Sequence, residues 1–548
     1  MPLDTCRLSL ALVVGLLLTL GAPEPVRGAT YTVPSPNYPT IQSAIEACVD
    51  GDEVVIEPNT YTGAGNRDLS FGGRAITVRG TDPDDPNVVA ATVIDCQNAG
   101  GGFYFHSGED ANSVLAGLTI TNGHRENDIG AIHCDQTSPT IANCNITRCS
   151  GVVGGIYGYY SSLTITDCTI TDCEGIVWGA IFCEEAGRPI IANCTISGNT
   201  AGWFAAGIAC DGNGTITGCT ISDNENLVTM EWYNNGGGIT CGGDTTITNC
   251  TITGNNCLRG TGAGITSTAG TKITNCTISG NGTGGSTFCT GGGIYITLGR
   301  VTIANCTITG NASQWEGGGG IYGTPETTVT NCILWGNHGA TNPQLFSCQP
   351  TYNCIQDWTG GGVGNISDDP CFVDPNGPDG VPGTWDDNDY HLSPNSPCID
   401  AGDPNGDYTG QADIDGQGRQ NGVVDMGSDE IWPNVCYALT VTIKGSQWGS
   451  VAVDPEADAN CPNLPGYLAG TLVTLTAEPN DGKSFKKWKV WDANDPNITT
   501  VDTNNPITIV MSAKRTVKAF FKCGGGGMVP PLLTLLVLGG FALLRRRR

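Results

Sequence analysis

The sequence predicts an all-β chain: a solenoid of about ten stacked coils, then a small β-strand module. Three observations predict it. Peptides of one type (IANCNITRC, TITDCTITDC, IIANCTISGN, TITGCTISDN, TITNCTITGN, KITNCTISGN, TIANCTITGN and TVTNCILWGN) return at a period of about 26 residues. Within them Cys and Ile stand two apart, the period of a strand. The 548 residues include 80 Gly and 26 Cys, and the glycines alternate with Ile and Thr without a G-X-Y period. That excludes collagen and argues against disorder.

The unit can be read column by column. The first column aligns Leu118, Cys144, Cys168, Cys194, Cys219, Cys250, Cys276, Cys306, Cys332 and Cys354. Two residues on is an aliphatic column: Ile146, Ile170, Ile196, Ile221, Ile252, Ile278, Ile308 and Leu334. Five residues after the Cys comes an Asn column: Asn199, Asn224, Asn255, Asn281, Asn311 and Asn337. Asn tolerates a left-handed backbone, and stacked carboxamides can satisfy one another. After an insert of variable length, Gly-Gly-Ile or Gly-Ala-Ile ends at Ile132, Ile156, Ile181, Ile208, Ile239, Ile265, Ile294 and Ile321. Each unit thus holds about three short strands. Stacked at ~4.8 Å, such units make a rod of roughly 45–50 Å.

These repeats resemble the right-handed parallel β-helix of pectin-lyase-like proteins, over about 400 residues. The resemblance implies a capped coil stack. The entry peptide YPTIQSAIEACVDGDEVVIEPNTYTG fits a cap over 30–65, with Thr40 opening a short helix that turns Ile41, Ile45 and Val49 inward. A cap keeps the terminal edge from pairing with other chains. The β-helix proper is expected over 66–364. The Asp-rich stretch 365–432, from DPCFVDPNGPDG to DIDGQGRQNGVVDMGSDE, resembles the closing segment of secreted bacterial β-helix proteins that carry varied surface anchors. Residues 433–523 read as five or six strands and resemble a divergent internalin-type B-repeat, with Phe485 and Trp488 at its core aromatic motif. Lys483, Lys486, Lys487 and Lys489 read as a solvated strand face.

Both ends carry processing signals. Residues 1–29 hold a short polar start, the apolar run LSLALVVGLLLTLGA and a small-residue cleavage site, the pattern of an export peptide. Residues 524–548 combine a Gly run, an apolar stretch from Met528 to Leu544 and four arginines. This layout resembles a bacterial glycine-rich sorting signal, and the arginines would face the cytoplasm. The body is therefore expected outside the cell, at the envelope or released, with the tail either removed by a processing enzyme or kept as a membrane anchor. The whole chain has a formal charge of −28, with 53 acids against 25 bases. Removing both ends takes six arginines, Asp4 and Glu24, and leaves 19 bases against 51 acids. That balance excludes a nucleic-acid binder and simple attraction to anionic lipid. The chain is expected to act as a monomer.

Exported cysteines invite disulfides. The column argues otherwise: in-register Cβ atoms would sit ~4.8 Å apart with parallel vectors, whereas a disulfide needs ~3.8 Å and convergence. Without His or a C-x2-C pair, the column reads as small buried hydrophobes. Pairs left as candidates are Cys371 with Cys398, and Cys436 with Cys461 or Cys523.

The inserts fall at one corner and so share one edge of the rod. They place Trp203, Trp232, Tyr233 and Trp315 there as candidate ligand platforms, with Trp178, Phe204 and Phe288 nearby. Aromatic rings beside carboxylates suit sugars, and the Gly-rich strand would admit a ligand; equally, these rings could pack as a lid. Candidate catalytic residues are Glu231, Glu316, Arg125 and Asp128. Glu231 and Glu316 lie three coils apart, roughly 14 Å, beyond the ~5–9 Å that a glycosidase spans. Few bases (Arg125, Arg148, Arg259) could serve a lyase, and the Asn-Thr-Asp, Asp-Asp and Gly-His-Gly pattern of polygalacturonases is absent. Asp374, Asn376, Asp379, Asp386, Asp387 and Asp389 could bind Ca²⁺ as hard oxygen donors, or form surface turns. The expected function is binding of a polysaccharide or another envelope ligand. The alternatives are a polysaccharide lyase or glycoside hydrolase on the same rim, and a structural spacer.

Overall fold

The computed structural model describes residues 28–523, apart from 125–128, 185–186, 228–235, 269, 283–289, 315–316, 381–387, 410, 416–417, 420–422, 432–435, 445–447, 455–465, 469–471, 481–482, 492–498 and 512–513. Residues 1–27 and 524–548, on which the expected export peptide and sorting tail fall, lie outside the described residues. So do Arg125, Asp128, Glu231, Trp232, Tyr233, Phe288, Trp315, Glu316, Asp386 and Asp387. Two compact units divide at Glu430–Ile431.

The first unit is a parallel β-helix with three long faces. The first face has 13 strands, from Thr30–Val33 to Gln349–Thr351; the second has 12, from Asn59–Tyr61 to Cys354–Ile355; the third has 10, from Phe103–Phe105 to Leu345–Phe346. Like residues stack on like. Ile146 faces Ile170 and Ile221 faces Ile252 on the second face, and Ile208 faces Ile239 on the third. All of these side chains are buried in one continuous core. Where the inserts begin, a short five-stranded sheet runs from Ser150–Val153 to Asn256–Cys257.

Two backbone corners shape each coil. At the first, Asn143, Asp167, Asn193, Gly218, Asn249, Asn275, Asn305 and Asn331 take φ between +52 and +62°. Asn, Asp and Gly are the residues that adopt this region most cheaply. The next residue is the column cysteine, which the turn aims into the bore. Its thiol lies within reach of two corner carbonyls. Cys194 Sγ stands 3.2 Å from Ala192 O and 3.7 Å from Ile165 O in the preceding coil; Cys250 Sγ stands 3.2 Å from Thr248 O and 3.7 Å from Ile216 O. These cysteines are free, buried thiols acting as weak donors in a packed core.

The second corner follows the same rule with a stronger donor. Asn255 Nδ2 donates to Thr253 O at 3.1 Å, to Ile221 O at 2.8 Å and to Asn281 Oδ1 at 2.9 Å. The Asn281 oxygen also takes the Asn255 backbone N–H at 3.0 Å. This pattern links Asn199, Asn224, Asn255, Asn281, Asn311 and Asn337, and Gln344 Oε1 closes it at 2.8 Å. In earlier coils Cys149 and Cys173 fill the same column, and the Cys173 N–H donates to Asn199 Oδ1 at 3.0 Å.

Several expectations need correction. The left-handed residue at the second corner is the one before each Asn (Gly198, Asp223, Gly254, Gly280, Gly310, Gly336), because the Asn must point inward to reach the stack. Cys354 is not in the first column. It pairs with Ile333, and Asn353 takes the column place, donating to Thr351 O and Val329 O at 2.9 Å. The Gly-Gly-Ile glycines serve the stack rather than a ligand: a Cβ on Gly207 would lie 2.4 Å from Gly238 O. Thr40 does cap the helix Ile41–Ala47, in a reciprocal box with Ser43. Ile41, Ala44 and Ile45 are buried, but Val49 is 67% exposed because the chain leaves the helix at Cys48.

After Ile355 the chain does not simply end the stack. It returns along the rod's flank. Asp403 N donates to Asn331 Oδ1 at 2.7 Å, Asn249 Nδ2 to Asp413 O at 3.3 Å, and Ser428 N to Thr307 Oγ1 at 3.1 Å. The segment has its own polar centre, where Arg419 and Glu430, both buried, face each other at 3.4 Å. Cys371 and Cys398 are not bonded; Cys371 donates to Asp369 O, and Cys398 neighbours Cys354 instead.

Among the described residues the second unit has eight strands, in sheets of five and three, rather than five or six. Gly466–Leu468, Thr499–Asp502 and Ile507–Val510 are short strands of three or four residues. Trp488 is fully buried, 5.0 Å from Phe485 between ring centroids, and its indole N–H donates to Asn504 O. The basic strand is less solvated than expected: Lys483 lies over Trp448 and Lys487 over Phe520. The pairings suggested for Cys436, Cys461 and Cys523 fall on side chains outside the described residues.

Three outcomes follow. Asn281→Ala leaves neighbouring amides and carbonyls unmet, and urea denaturation will show a loss of about 2–4 kcal/mol. Arg419→Met strands the buried Glu430 carboxylate and will cost about 3–5 kcal/mol, whereas Arg419→Met with Glu430→Leu will cost less; comparison of the two melts tests this. A thiol reagent added to the native chain will spare Cys144 to Cys332 of the first column and modify them only after denaturation.

Candidate functional site

With the inward columns committed to the core, chemistry is left to outward side chains. On the third face one outward row reads Tyr104, His133, Tyr157, Phe182, in register. The rings stack: Tyr104–His133 at 4.8 Å, His133–Tyr157 at 5.2 Å and Tyr157–Phe182 at 5.3 Å. Parallel strands force this, since each coil presents its ring about 5 Å from the last. The row two residues on carries Asp135, Tyr159, Glu184 and Asp211. The Tyr157 hydroxyl donates to Glu184 Oε2. Burial and this carboxylate together raise the Tyr157 pKa.

The insert corner adds to the row. Trp178 lies flat on Phe182, with centroids 3.9 Å apart and planes 6° apart, and Phe204 lies 5.3 Å from Trp178. Phe182 is buried with Ala205 and Ala209 beneath them. Trp178 and Phe204 therefore act as a lid on the strand. Trp203, beside them, is 45% exposed and extends the shelf into solvent, as does Ile176 at 57%. Of the other sequence candidates, Arg148 reaches Thr121 Oγ1 at 3.4 Å from its left-handed corner, and Arg259 is exposed on an insert. Farther along the same outward row Tyr295, Tyr322 and Phe346 stack again, with Ala209, Thr240 and Thr266 between the two groups.

A second polar centre was not evident from sequence. It lies in a cavity of about 380 Å³ between the returning segment and the second face, lined by Thr220, Ser222, Thr251, Asn388, His391, Asp415 and Asp429 among others. His391 Nδ1 meets Asp389 Oδ1 at 2.5 Å, and Nε2 meets Asp415 Oδ2 at 2.8 Å. Burial works against charging this imidazole, but the two carboxylates outweigh it and push its pKa up to about 11. Burial raises the Asp429 carboxyl. Of the Asp-rich loop, Asp374 pairs with Asp389 across a two-stranded sheet, Asn376 and Asp379 are exposed, and the Asp389 carboxylate is directed to His391. The Asp403 and Asp407 carboxylates accept the N–H of Asn405 and Thr409 within their own turns.

Comparison with known proteins bears on the scaffold. The solved structures similar to this chain include a pectate lyase, Pel9A (TM-score 0.39, 14% identity, covering 73% of this chain and 96% of that one). Others are a PL6 family alginate lyase, AlyGC (0.29, 10%, 76% and 62%), and the Siphovirus 9NA tailspike receptor binding domain (0.19, 12%, 62% and 78%). No curated protein matches the chain. The family description "Divergent InlB B-repeat domain" matches 439–524. "Right handed beta helix region" matches in overlapping stretches at 46–224, 126–278 and 179–363, together more than half of the chain. On that match and the stacked faces above, the chain belongs to the right-handed beta helix family.

Proposed function

We propose that this chain is an exported, envelope-associated β-helix that binds a glycan along the aromatic shelf of its third face and does not turn it over. The observation that carries the reading is the shelf itself: Tyr104, His133, Tyr157, Trp178 and Phe204 stacked around the buried Phe182, edged by the exposed Trp203 and flanked by Asp135, Glu184 and Asp211. A sugar ring offers an apolar face to an aromatic plane and hydroxyls to carboxylate acceptors, and this surface presents both side by side. Trp232, Tyr233 and Trp315, outside the described residues, fall in inserts at the equivalent point of later sequence repeats. The strongly acidic body disfavours polyuronates and favours neutral or amino-sugar polymers. The export peptide and sorting-type tail support placement at the cell surface.

The test is a glycan array followed by calorimetry on the best neutral or amino-sugar ligand. Trp203→Ala will weaken binding at least tenfold, about 1.4 kcal/mol, without changing the melting temperature. A polysaccharide digestion panel, with and without Ca²⁺, accompanies it. Release of shortened or unsaturated sugars, lost in Glu231→Gln, would replace this reading with the lyase or hydrolase. Silence in both assays would leave the spacer.

A further inference from the structure

The cavity under the returning segment is independent of the shelf, and its chemistry points elsewhere. A ring nitrogen of His391 and carboxylate oxygens of Asp415 and Asp429 lie within 4.8 Å of one another, and Nε2 meets Asp415 Oδ2 at 2.8 Å. His391 Nδ1 is held by Asp389 at 2.5 Å. A carboxylate behind an imidazole is the arrangement that orients a histidine for a metal at its other nitrogen. A separate observation comes from Asn388. Its Nδ2 donates to the Tyr390 hydroxyl at 2.8 Å, while its Oδ1 is buried without a hydrogen-bond partner in the wall of the same cavity. Three carboxylates face one imidazole here, and Arg419, the nearby cation, is directed to Glu430 and Gly427 O. Excess negative charge, an orphan acceptor and an oriented imidazole converge on one space.

We propose that this cavity is a divalent-cation site of the Zn²⁺ or Mn²⁺ class, with His391 Nε2, Asp415 and Asp429 as ligands, Asn388 Oδ1 as a further oxygen donor and Asp389 as the orienting carboxylate. An imidazole among the ligands favours these ions over Ca²⁺, which takes oxygen alone. The site is distinct from the oxygen-only set at Asp374–Asp379. For the ion to bond through the Nε2 lone pair, any proton shared between Nε2 and Asp415 must leave to solvent. His391, Asp415 and Asp429 come from three stretches of the returning segment, so one ion ties them together and presses the segment onto the second face.

The experiment uses the full chain after EDTA treatment and dialysis, titrated calorimetrically with Zn²⁺, Mn²⁺ and Ca²⁺. One Zn²⁺ or Mn²⁺ per chain is expected, and the ion should raise the melting temperature. Asp415→Asn and His391→Gln should each weaken binding at least tenfold, whereas Asp374→Asn should leave it unchanged. If a substitution disturbs folding, seen by circular dichroism, the unmodified chain still decides the matter: bound Cu²⁺ should show hyperfine coupling to a single imidazole nitrogen in electron paramagnetic resonance. No Zn²⁺ or Mn²⁺ binding, equal binding in both folded variants, or a Cu²⁺ spectrum with no nitrogen or several would overturn the proposal.

Discussion

The rod depends on how its corners are satisfied. A parallel coil that bends through a left-handed residue turns carbonyls away from the sheet ladder, toward a bore packed with buried apolar side chains. A buried carbonyl without a donor is costly. From Cys144 to Asn353 the chain meets this with one inward donor per corner per coil. At the first corner it is a thiol, from Cys144 to Cys332, then the amide of Asn353. At the second it is Cys149 and Cys173, then the amides from Asn199 to Asn337. The two residue types occupy the same place against the same pair of carbonyls. The amide also passes an oxygen to its neighbour, so the Asn column adds a continuous chain of hydrogen bonds along the axis. Register follows, because a coil slipped by one residue would direct these donors outward.

That constraint explains what was legible in the residues. Anything required once per coil prints itself as a column, so the cysteines, the isoleucines and the buried asparagines could be read directly. The errors sit where the column logic is interrupted. Asn353-Cys354 puts two acceptable residues side by side, and only pairing with Ile333 and Leu334 shows which faces inward. The residue before each inward donor varies, Gly or Asp before the asparagines and Arg148 or Asp172 before the cysteines, so it forms no obvious column, although the left-handed bend is there. Val49 continued a helical stripe that the backbone abandons one residue earlier. In the second unit the short strands Gly466–Leu468 and Ile507–Val510 are too brief for alternation to reveal.

The sites were legible in unequal parts. The tryptophans of the inserts drew attention because they are rare and share a corner. The longer outward row was present as plain alternation in FYF, IHCD, IYGY and IFC, where the middle ring must face away from the core. Its significance comes from stacking across coils, a relation between residues about 25 positions apart. The His391 cavity had no periodic signal at all. His391, Asp415 and Asp429 are brought together by the return of the chain along the rod, and nothing repeats in that segment. Its peptide DIDGQGR held Asp413, Asp415 and Arg419, but as one acidic loop among several.

Inward residues fixed by the corners leave outward residues free to vary at little cost to the fold, so ligand chemistry can be written on any face without disturbing the stack. Here the writing is uneven. The second face carries short hydroxyls (Thr220, Thr251, Thr277), over which the returning segment lies flat. The third face carries rings and acids, and among the described residues the returning segment makes its hydrogen bonds with the first and second faces. Among the described residues, the third face, which takes none of these hydrogen bonds, is the one that bears the aromatic shelf. A large ring on the second face would lift the segment and open its Arg419–Glu430 centre; a large ring on the third meets no such penalty. The distribution of rings thus follows from where the chain needs its own surface and where it can offer that surface to a ligand.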